Sequence, residues 1–501
     1  MSKLSKADVE ENKNAREKVR GVYKEVITSG IYVNTRYSIP LEYRDVFGEE
    51  KKEFLDPMVS SAIINCLVPK SGLLFRGGHG GGKTSLIMKV SSAMTGISEA
   101  ELRKSMIRGN DDETYNTLVA SLNLGRLLGP EHAEEVRWRP FITSKVKIID
   151  EVNRFLPATL NGLFEPLNEG SAGFAVTGET MALDDYVFYA TENPNDEGTY
   201  KLPKPFLDRF SMRVNAPQVP GVNDLFVLSQ RKDDKLNKLA LKSIFKFDEL
   251  VNLRRKIIED ISFTTDSLLY TIYATEGMSL CVRADQLDKN QSTIDVGPRC
   301  KGCEYSGQYC EMTQQGISGR AFLDVLRWSK AYSWFLNSFE RSEKPEVQLS
   351  IIQSILPYLI AHRITPNDHQ LKKDPYWGME GKFTQTLIEK LNEGYNTTKS
   401  LLVDMNEVLS GALPFNKSKI NTPTKDLVIE YGYKPLLKEA SESDSFKTFY
   451  KRLIGAKLDL NDLSIMEKNI FESLDIKPQA RMYLVQLMNI HKLNYGGKNG
   501  S

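Results

Sequence analysis

The chain has 501 residues, more than one hydrophobic core usually holds, and this length predicts two to four domains. Hydrophobic residues make up 41% and charged residues 26%, an ordinary globular balance, and no apolar run approaches the roughly 20 residues of a membrane span. The 66 basic and 65 acidic residues leave a net charge of +1, which does not indicate binding to nucleic acid through bulk charge, although a local basic patch stays open.

The first predicted element is a polar helix, KADVEENKNAREKVRGVYKEVI, whose charged residues recur at i,i+4 spacing. The N-terminus is charged throughout and has no apolar signal core, so we expect a cytoplasmic protein. In that reducing compartment, the 5 cysteines are expected to be metal ligands or buried thiols rather than disulfides. We assign residues 1–42 to an N-terminal helical extension.

A phosphate-binding loop is predicted in GLLFRGGHGGGKTSLIMKVSSAMTG, which contains G-x-x-x-x-G-K-T between a predicted strand and a helix that Gly96 ends. Glycines let backbone N–H groups approach a phosphate closely, and the helix N-terminus favours an anion. We expect Lys83 to bind the β- and γ-phosphates of ATP and the Thr84 hydroxyl to bind Mg²⁺. The candidate nucleotide-binding residues are Gly77, Gly78, His79, Gly80, Gly81, Gly82, Lys83 and Thr84.

Polar residues are predicted at the ends of two later strands. KVKIIDEVNR predicts a strand that ends in Asp150, a second candidate Mg²⁺ ligand, and Glu151, which would polarise the attacking water. A helix and a hairpin turning at Gly178 follow. The next predicted strand, YVFYAT, leads into Asn193, whose amide would orient that water against the γ-phosphate.

The order of predicted elements indicates four parts. Over residues 43–220, apolar runs alternate with helical patterns, as in a parallel sheet flanked by helices. Helical patterns dominate afterwards, so we assign 221–370 to a helical lid and 371–501 to a mostly helical C-terminal region. A polar segment at about 281–315 interrupts the lid.

That polar segment carries a cluster of cysteines with the spacing C-x18-C-x2-C-x6-C. Four thiols in a polar stretch indicate a metal site rather than free thiols, which are usually buried singly. Two chemistries stay open: zinc, which favours paired C-x2-C, and a [4Fe–4S] cluster, because the spacing resembles that of Cas4-type nucleases. The candidate ligands are Cys281, Cys300, Cys303 and Cys310.

Three stretches resemble the MoxR-like AAA+ ATPases. DEVNRFLPATLNGLFEPLNEG is similar to the Walker B segment of that family and YATENPNDEGTYKLPKPFLDRFSMRV to its sensor 1 segment. GISGRAFLDVLRWSKAYS is similar to its sensor 2 helix. The resemblance covers roughly residues 43–220 and 316–366.

The resemblance implies an α/β P-loop AAA+ core followed by an α-helical lid. It also implies that Asn193 is sensor 1, Arg320 is sensor 2, and Arg209 is an arginine finger that reaches the nucleotide of a neighbouring subunit. Such a finger acts only in an oligomer, so a homo-oligomeric ring, usually of six subunits, is expected. The cysteine segment departs from the family, which has a short connection there.

The leading functional hypothesis is an Mg²⁺-dependent ATPase ring that remodels or matures a protein client. The family often works with von Willebrand factor A partners, and this chain lacks their D-x-S-x-S motif, so such a partner would be a separate protein. A nucleic-acid-associated motor or defence-system ATPase with an iron–sulfur lid is one alternative. A nucleotide-gated assembly switch is another, which the presence of Glu151 and Asn193 disfavours.

Overall fold

The structure is a computed structural model of the chain. It describes residues 5–29, 37–45, 47–78, 81–128, 134–163, 166–167, 170–194, 196–216, 241–279, 303, 307–337, 345–455 and 460–495. These residues divide into two compact units, Met1–Ser262 with Leu323–Arg363, and Phe263–Phe322 with Ile364–Ser501. The division into four parts stays a prediction.

The strands of the described residues are short and lie mostly in the first half of the chain. They are β1 (Ile39–Arg44), β2 (Glu50–Leu55), β3 (Gly72–Arg76), β4 (Ile107–Arg108), β5 (Ala120–Leu122), β6 (Val136–Trp138), β7 (Val146–Asp150), β8 (Ser171–Phe174), β9 (Glu179–Ala182), β10 (Val187–Glu192), β11 (Met212–Asn215), β12 (Ser262–Phe263), β13 (Thr313–Gln315), β14 (Glu346–Val347) and β15 (Thr365–Pro366).

Helices account for most of the remaining described residues. They are α1 (Lys6–Ser29), α2 (Pro57–Leu67), α3 (Lys83–Thr95), α4 (Glu99–Ser105), α5 (Tyr115–Val119), α6 (Leu124–Leu127), α7 (Pro140–Thr143), α8 (Pro157–Gly162), α9 (Lys204–Leu207), α10 (Phe247–Asp260), α11 (Thr265–Ser279), α12 (Gly319–Leu336), α13 (Leu349–Ile360), α14 (Asp368–Leu371), α15 (Glu380–Leu409), α16 (Lys434–Ser441), α17 (Asp444–Gly455), α18 (Leu460–Glu472) and α19 (Pro478–Tyr495).

A parallel sheet of five strands, in the order β11-β3-β10-β7-β4, forms the centre of the first unit. Parallel neighbours cannot be joined by a tight turn, so each connection crosses a face of the sheet. The middle strands are covered on both faces, and all six residues of β10 are buried. Because β3, β10 and β7 are neighbours, their carboxyl ends meet at one edge of the sheet.

Most local predictions around this edge are confirmed. The helix after the phosphate loop ends where Gly96 adopts a φ of 75°, and the β8–β9 hairpin has Gly178 at the same φ. The element after β7 differs from the single long helix that was predicted, because Val152–Arg154 form a 3₁₀ turn and α8 starts only at Pro157. Proline lacks an N–H and fits the first turn of a helix, so Pro157 sets the start of α8.

The second unit is built on helices whose tyrosines pack against one another. The rings of Tyr270 on α11 and Tyr395 on α15 meet edge to face, 5.2 Å apart. The Tyr395 hydroxyl donates to Asp266 Oδ1 at 2.6 Å, and the Tyr273 hydroxyl donates to Asp426 Oδ2 at 2.6 Å. Burial raises the pKa of the Asp426 carboxyl. The predicted fold class, an α/β core followed by a mostly helical region, is confirmed.

Within the described ranges, no helix combines the length and the hydropathy that crossing a bilayer requires.

Candidate functional site

An open cleft with about 520 Å³ of empty space lies at the carboxyl edge of the central sheet. In open α/β sheets, ligands bind at this edge. The cleft is lined by Gly81, Gly82, Lys83, Thr84, Ser85, Asp150, Glu151, Thr191, Glu192 and Asn193. The structure thus brings together predicted residues from three separate parts of the chain.

The phosphate-loop side of the cleft is the N-terminus of α3. Gly82 caps this helix with a φ of 69°, and as a glycine it has no side chain to accept a hydrogen bond from the first N–H groups. The positive end of the helix dipole therefore faces the cleft. Lys83 Nζ donates to the carbonyls of Gly77 at 2.8 Å and Gly78 at 2.6 Å, and burial lowers the pKa of Lys83. His79 and Gly80 lie outside the described residues.

Asp150, at the end of β7, accepts hydrogen bonds from two hydroxyl groups on one oxygen. Thr84 Oγ1 lies 2.8 Å from Asp150 Oδ1, and Thr191 Oγ1 lies 2.6 Å from the same atom. The predicted Mg²⁺ ligands Thr84 and Asp150 are therefore in direct contact. Hydroxyl and carboxylate oxygens are the donors that Mg²⁺ prefers, so this pair fits the ion.

The Glu151 carboxylate lines the cleft next to a cation. Its Oε2 lies 2.9 Å from Arg154 Nε, and the other end of the Arg154 guanidinium is paired with Asp196. The Glu192 carboxylate has a cation of its own, with Arg76 Nε at 3.6 Å. These two pairs offset the acidic charge at this edge, where a triphosphate would otherwise be repelled.

Asn193 follows β10 and is almost fully buried, with 4% of its surface exposed. The side-chain amide of Asn153 makes two hydrogen bonds to the backbone of Asn193. Asn153 Nδ2 donates to Asn193 O at 2.8 Å, and Asn193 N donates to Asn153 Oδ1 at 3.2 Å. The end of β10 is thus tied to the turn that follows β7.

Arg209 lies after α9 in the first unit and is half-buried, and its Nη1 donates to the Pro205 carbonyl. The flanking residues are held by two residues that follow α13. Arg363 Nη2 donates to Asp208 O at 3.1 Å, and His362 Nε2 lies 2.7 Å from Phe210 O. The segment that carries Arg209 is therefore fixed on both sides of that residue.

The other predicted residues lie in the second unit or outside the described residues. Arg320 is exposed in the first turn of α12. Cys281 and Cys300 lie outside the described residues, whereas Cys303 and Cys310 are half-buried. Among the described residues, no three His, Cys, Asp or Glu side chains are grouped as a metal site would require. The four-cysteine site stays a prediction.

Three contacts of the cleft were not predicted from the sequence, namely those of Thr191, Asn153 and Arg154. All three residues lie inside the segments that carry the family resemblance. The signal that could have identified Thr191 is a hydroxyl in an otherwise apolar strand, one residue from the strand end. Asn153 and Arg154 follow the acidic pair after Val152, where a charged or amide side chain can reach the same edge.

Comparison with known proteins adds a domain assignment. The AAA domain (dynein-related subfamily) matches residues 72–210, which include the phosphate loop, both polar strand ends and Arg209. The protein YeaC of Bacillus subtilis, described as uncharacterised, is 35% identical over 127 residues. That stretch covers 25% of this chain and 38% of YeaC, so the match spans well under half of that relative.

A solved structure supports the fold over a longer range. The crystal structure of a "putative ATPase" from Cytophaga hutchinsonii superposes with a TM-score of 0.55, covering 77% of this chain and 97% of that chain. The sequences are 19% identical, so this likeness concerns the fold alone.

Proposed function

We propose that this chain is a MoxR-like AAA+ ATPase that binds MgATP in the cleft at the carboxyl edge of its sheet and hydrolyses it. The observation that carries the proposal is the convergence of Lys83, Thr84, Asp150, Glu151 and Asn193 on one cleft. The match of residues 72–210 to an AAA domain supports it.

The residues of the cleft divide the reaction among them. The N–H groups at the start of α3 and the Lys83 ammonium bind the phosphates, while Thr84 and Asp150 would hold Mg²⁺. When bound, Mg²⁺ neutralises charge on the β- and γ-phosphate oxygens. Asn193 orients a water molecule. Glu151 accepts a proton from this water as the water oxygen bonds to the γ-phosphorus. The bond from that phosphorus to the bridging oxygen then breaks, and ADP leaves.

Two substitutions test this division. Lys83→Ala should abolish nucleotide binding, because the phosphates lose their cation. Glu151→Gln should keep binding and lower kcat by roughly 10²–10⁴-fold, because the amide cannot accept the proton. Fluorescent-nucleotide titration and phosphate release measure the two effects.

The matched controls are Lys104→Ala on α4 and Glu389→Gln on α15, both at exposed positions outside the cleft, which should behave as wild type. Wild-type turnover in Glu151→Gln would contradict the proposed function.

We also propose that the ATPase works as a homo-oligomeric ring on a protein client, in the cytoplasm, with a separate von Willebrand factor A-domain protein as its partner. The candidate arginine finger Arg209, whose segment is held in place on both sides, supports a site shared between subunits. Stimulation of the ATPase by a co-encoded partner protein would support this proposal. Stimulation by DNA instead would favour the nucleic-acid motor.

The cysteine segment adds a second proposed site. Cys281, Cys300, Cys303 and Cys310 are proposed to bind one zinc ion or one [4Fe–4S] cluster, which would supply folding energy to the segment rather than take part in hydrolysis.

A further inference from the structure

Glu151 has an unusual backbone conformation. Its φ of 53° and ψ of 50° place it in the left-handed region, which a residue with a side chain rarely adopts. Among the described non-glycine residues, Lys70 and Trp377 also have a positive φ, but neither lines the cleft. Strained residues persist only where neighbours hold them, and they concentrate at functional sites.

Three neighbours hold Glu151 in this conformation. Its N–H donates to Thr191 Oγ1 at 2.8 Å, and its carbonyl accepts from the N–H of Arg154 at 2.9 Å. Gly109 packs against the same carbonyl so closely that an added Cβ would lie 1.9 Å from the Glu151 oxygen. The conformation is thus determined by β10, by the turn after β7, and by the residue that follows β4.

The Thr191 hydroxyl has a fixed hydrogen-bond direction. A hydroxyl has one hydrogen, and an ionised carboxylate can only accept, so Thr191 donates its hydrogen to Asp150 Oδ1 at 2.6 Å. The Thr191 Oγ1 atom also accepts a hydrogen bond from the Glu151 N–H. Thr191 is 1% exposed, and a hydrogen bond with little access to water is stronger than one in solvent. One hydroxyl therefore links the side chain of Asp150 to the backbone of Glu151.

We propose that Thr191 is a positioning residue for hydrolysis, which holds Glu151 in its left-handed conformation and sets its orientation relative to Asp150. The proposal rests on the proposed function, because it takes Glu151 as the residue that accepts the proton from water. Thr191 acts through Glu151 and Asp150.

The two hydrogen bonds of the Thr191 hydroxyl differ in what remains when the hydroxyl is removed. Asp150 Oδ1 also accepts a hydrogen bond from Thr84, so without Thr191 it keeps one donor at the phosphate loop. The Glu151 N–H donates to Thr191 Oγ1 at 2.8 Å, and this is the hydrogen bond by which β10 holds the Glu151 backbone. Loss of the Thr191 hydroxyl should therefore lower the rate of hydrolysis, which depends on Glu151, more than the affinity for ATP.

The test compares Thr191→Val, which keeps the shape of the side chain, with Thr191→Ser, which keeps the hydroxyl. Thr191→Val should lower kcat by on the order of 10- to 100-fold and change the ATP dissociation constant by less than about threefold. Thr191→Ser should return kcat to within about threefold of wild type. Thr95→Val is the control, because Thr95 is 2% exposed and its hydroxyl bonds at the C-terminal end of α3, donating to Ser91 O at 2.6 Å and accepting from the Ile97 N–H at 3.4 Å.

A second variant approaches Glu151 from the other side. Gly109→Ala should force the Glu151 carbonyl to move and should lower kcat while ATP binding is kept. Gly21→Ala on α1 is its control, because nothing lies within 4 Å of a Cβ at Gly21, and its kcat should equal that of wild type.

The outcomes separate this proposal from the proposed function. If Glu151→Gln abolishes hydrolysis but Thr191→Val turns over at the wild-type rate, Thr191 is not a positioning residue. Equal loss of kcat in Thr191→Val and Thr191→Ser, or a parallel loss of ATP affinity, overturns the proposal as well. If Glu151→Gln itself hydrolyses ATP normally, the proposed function fails first.

Discussion

At the scale of single residues, the contacts of the buried His362 define its protonation state. Its Nε2 lies 2.7 Å from the Phe210 carbonyl, which can only accept, so Nε2 carries the proton. Burial, together with the positive charges of Arg363, Arg213 and Lys204, lowers the pKa of His362 well below its usual value. The ring is therefore neutral in the folded protein.

Because His362 is neutral in the folded protein, we expect the free energy of unfolding to decrease in acid. A folded-state pKa below that of the unfolded chain means that the unfolded chain binds more protons once the pH falls below about 6.5. The contribution of the neutral ring to the free energy of unfolding is complete above that pH and decreases by about 1.4 kcal/mol for each pH unit below it. In His362→Gln the amide can donate to Phe210 but does not titrate, so its melting temperature should fall less between pH 7.5 and pH 5.5.

Thermal unfolding at the two pH values measures the effect, which should amount to roughly 2–4 °C for a domain of this size. His369→Gln, at an exposed histidine on α14, is the matched control and should keep the wild-type profile. An acid response of His362→Gln identical to that of wild type would show that His362 does not contribute.

At the scale of elements, the cysteine segment is anchored at its C-terminal end. Tyr309, beside Cys310, shares a hydrogen bond with the Tyr273 hydroxyl at 2.8 Å. Its ring fills the space beside Gly277, where a Cβ would lie 2.9 Å from the ring edge. The next residues continue this attachment, with the Asn367 N–H donating to Met312 O at 2.8 Å. Cys310 is thus held by neighbours that do not depend on a metal.

We expect the cysteine segment to contain metal when the protein is purified without oxygen. Iron and sulfide with broad absorbance near 400 nm would identify a cluster, and one zinc in a colourless protein would identify a zinc site. Cys303→Ser should lose the metal and lower ATPase activity while ATP binding at the phosphate loop is kept. Cys66→Ala, which removes a single buried thiol of the first unit, is the control and should keep the metal. Absence of both metals, with all four thiols titratable, would refute the site.

At the scale of the whole molecule, the proposed ring makes Arg209 act on a neighbouring subunit. Arg209→Ala should then cut hydrolysis by about 10³-fold with little loss of ATP affinity, because the missing charge acts only in the transition state. Mixing Arg209→Ala with Lys83→Ala should restore part of the activity, since a subunit with an intact finger can serve one with an intact cleft.

Phosphate release by the separate and mixed variants, together with their mass in solution, tests this expectation. Arg137→Ala, at an exposed arginine of β6, is the matched control and should neither lose activity nor complement the others. A protein that stays monomeric with ATP and hydrolyses it at full rate would exclude the ring.

The sequence by itself determined those features that depend on neighbouring residues. The phosphate loop is one continuous stretch between a strand and a helix, and its glycines, Lys83 and Thr84 identify it without knowledge of the fold. Asp150 and Glu151 were recognisable because an apolar strand ends there, and the α/β core followed from alternating patterns. Each of these predictions needed only local periodicity and the chemistry of adjacent side chains.

The tertiary structure alone decided how these stretches meet. Thr191 reaches Asp150 and Glu151 because β10 lies beside β7, and Gly109 reaches the Glu151 carbonyl because β4 lies on the other side of β7. The order of strands in a parallel sheet is set by how the crossover helices pack, and no local pattern encodes it. The left-handed conformation of Glu151 has the same origin, because it results from contacts with residues about 40 positions away in either direction along the chain.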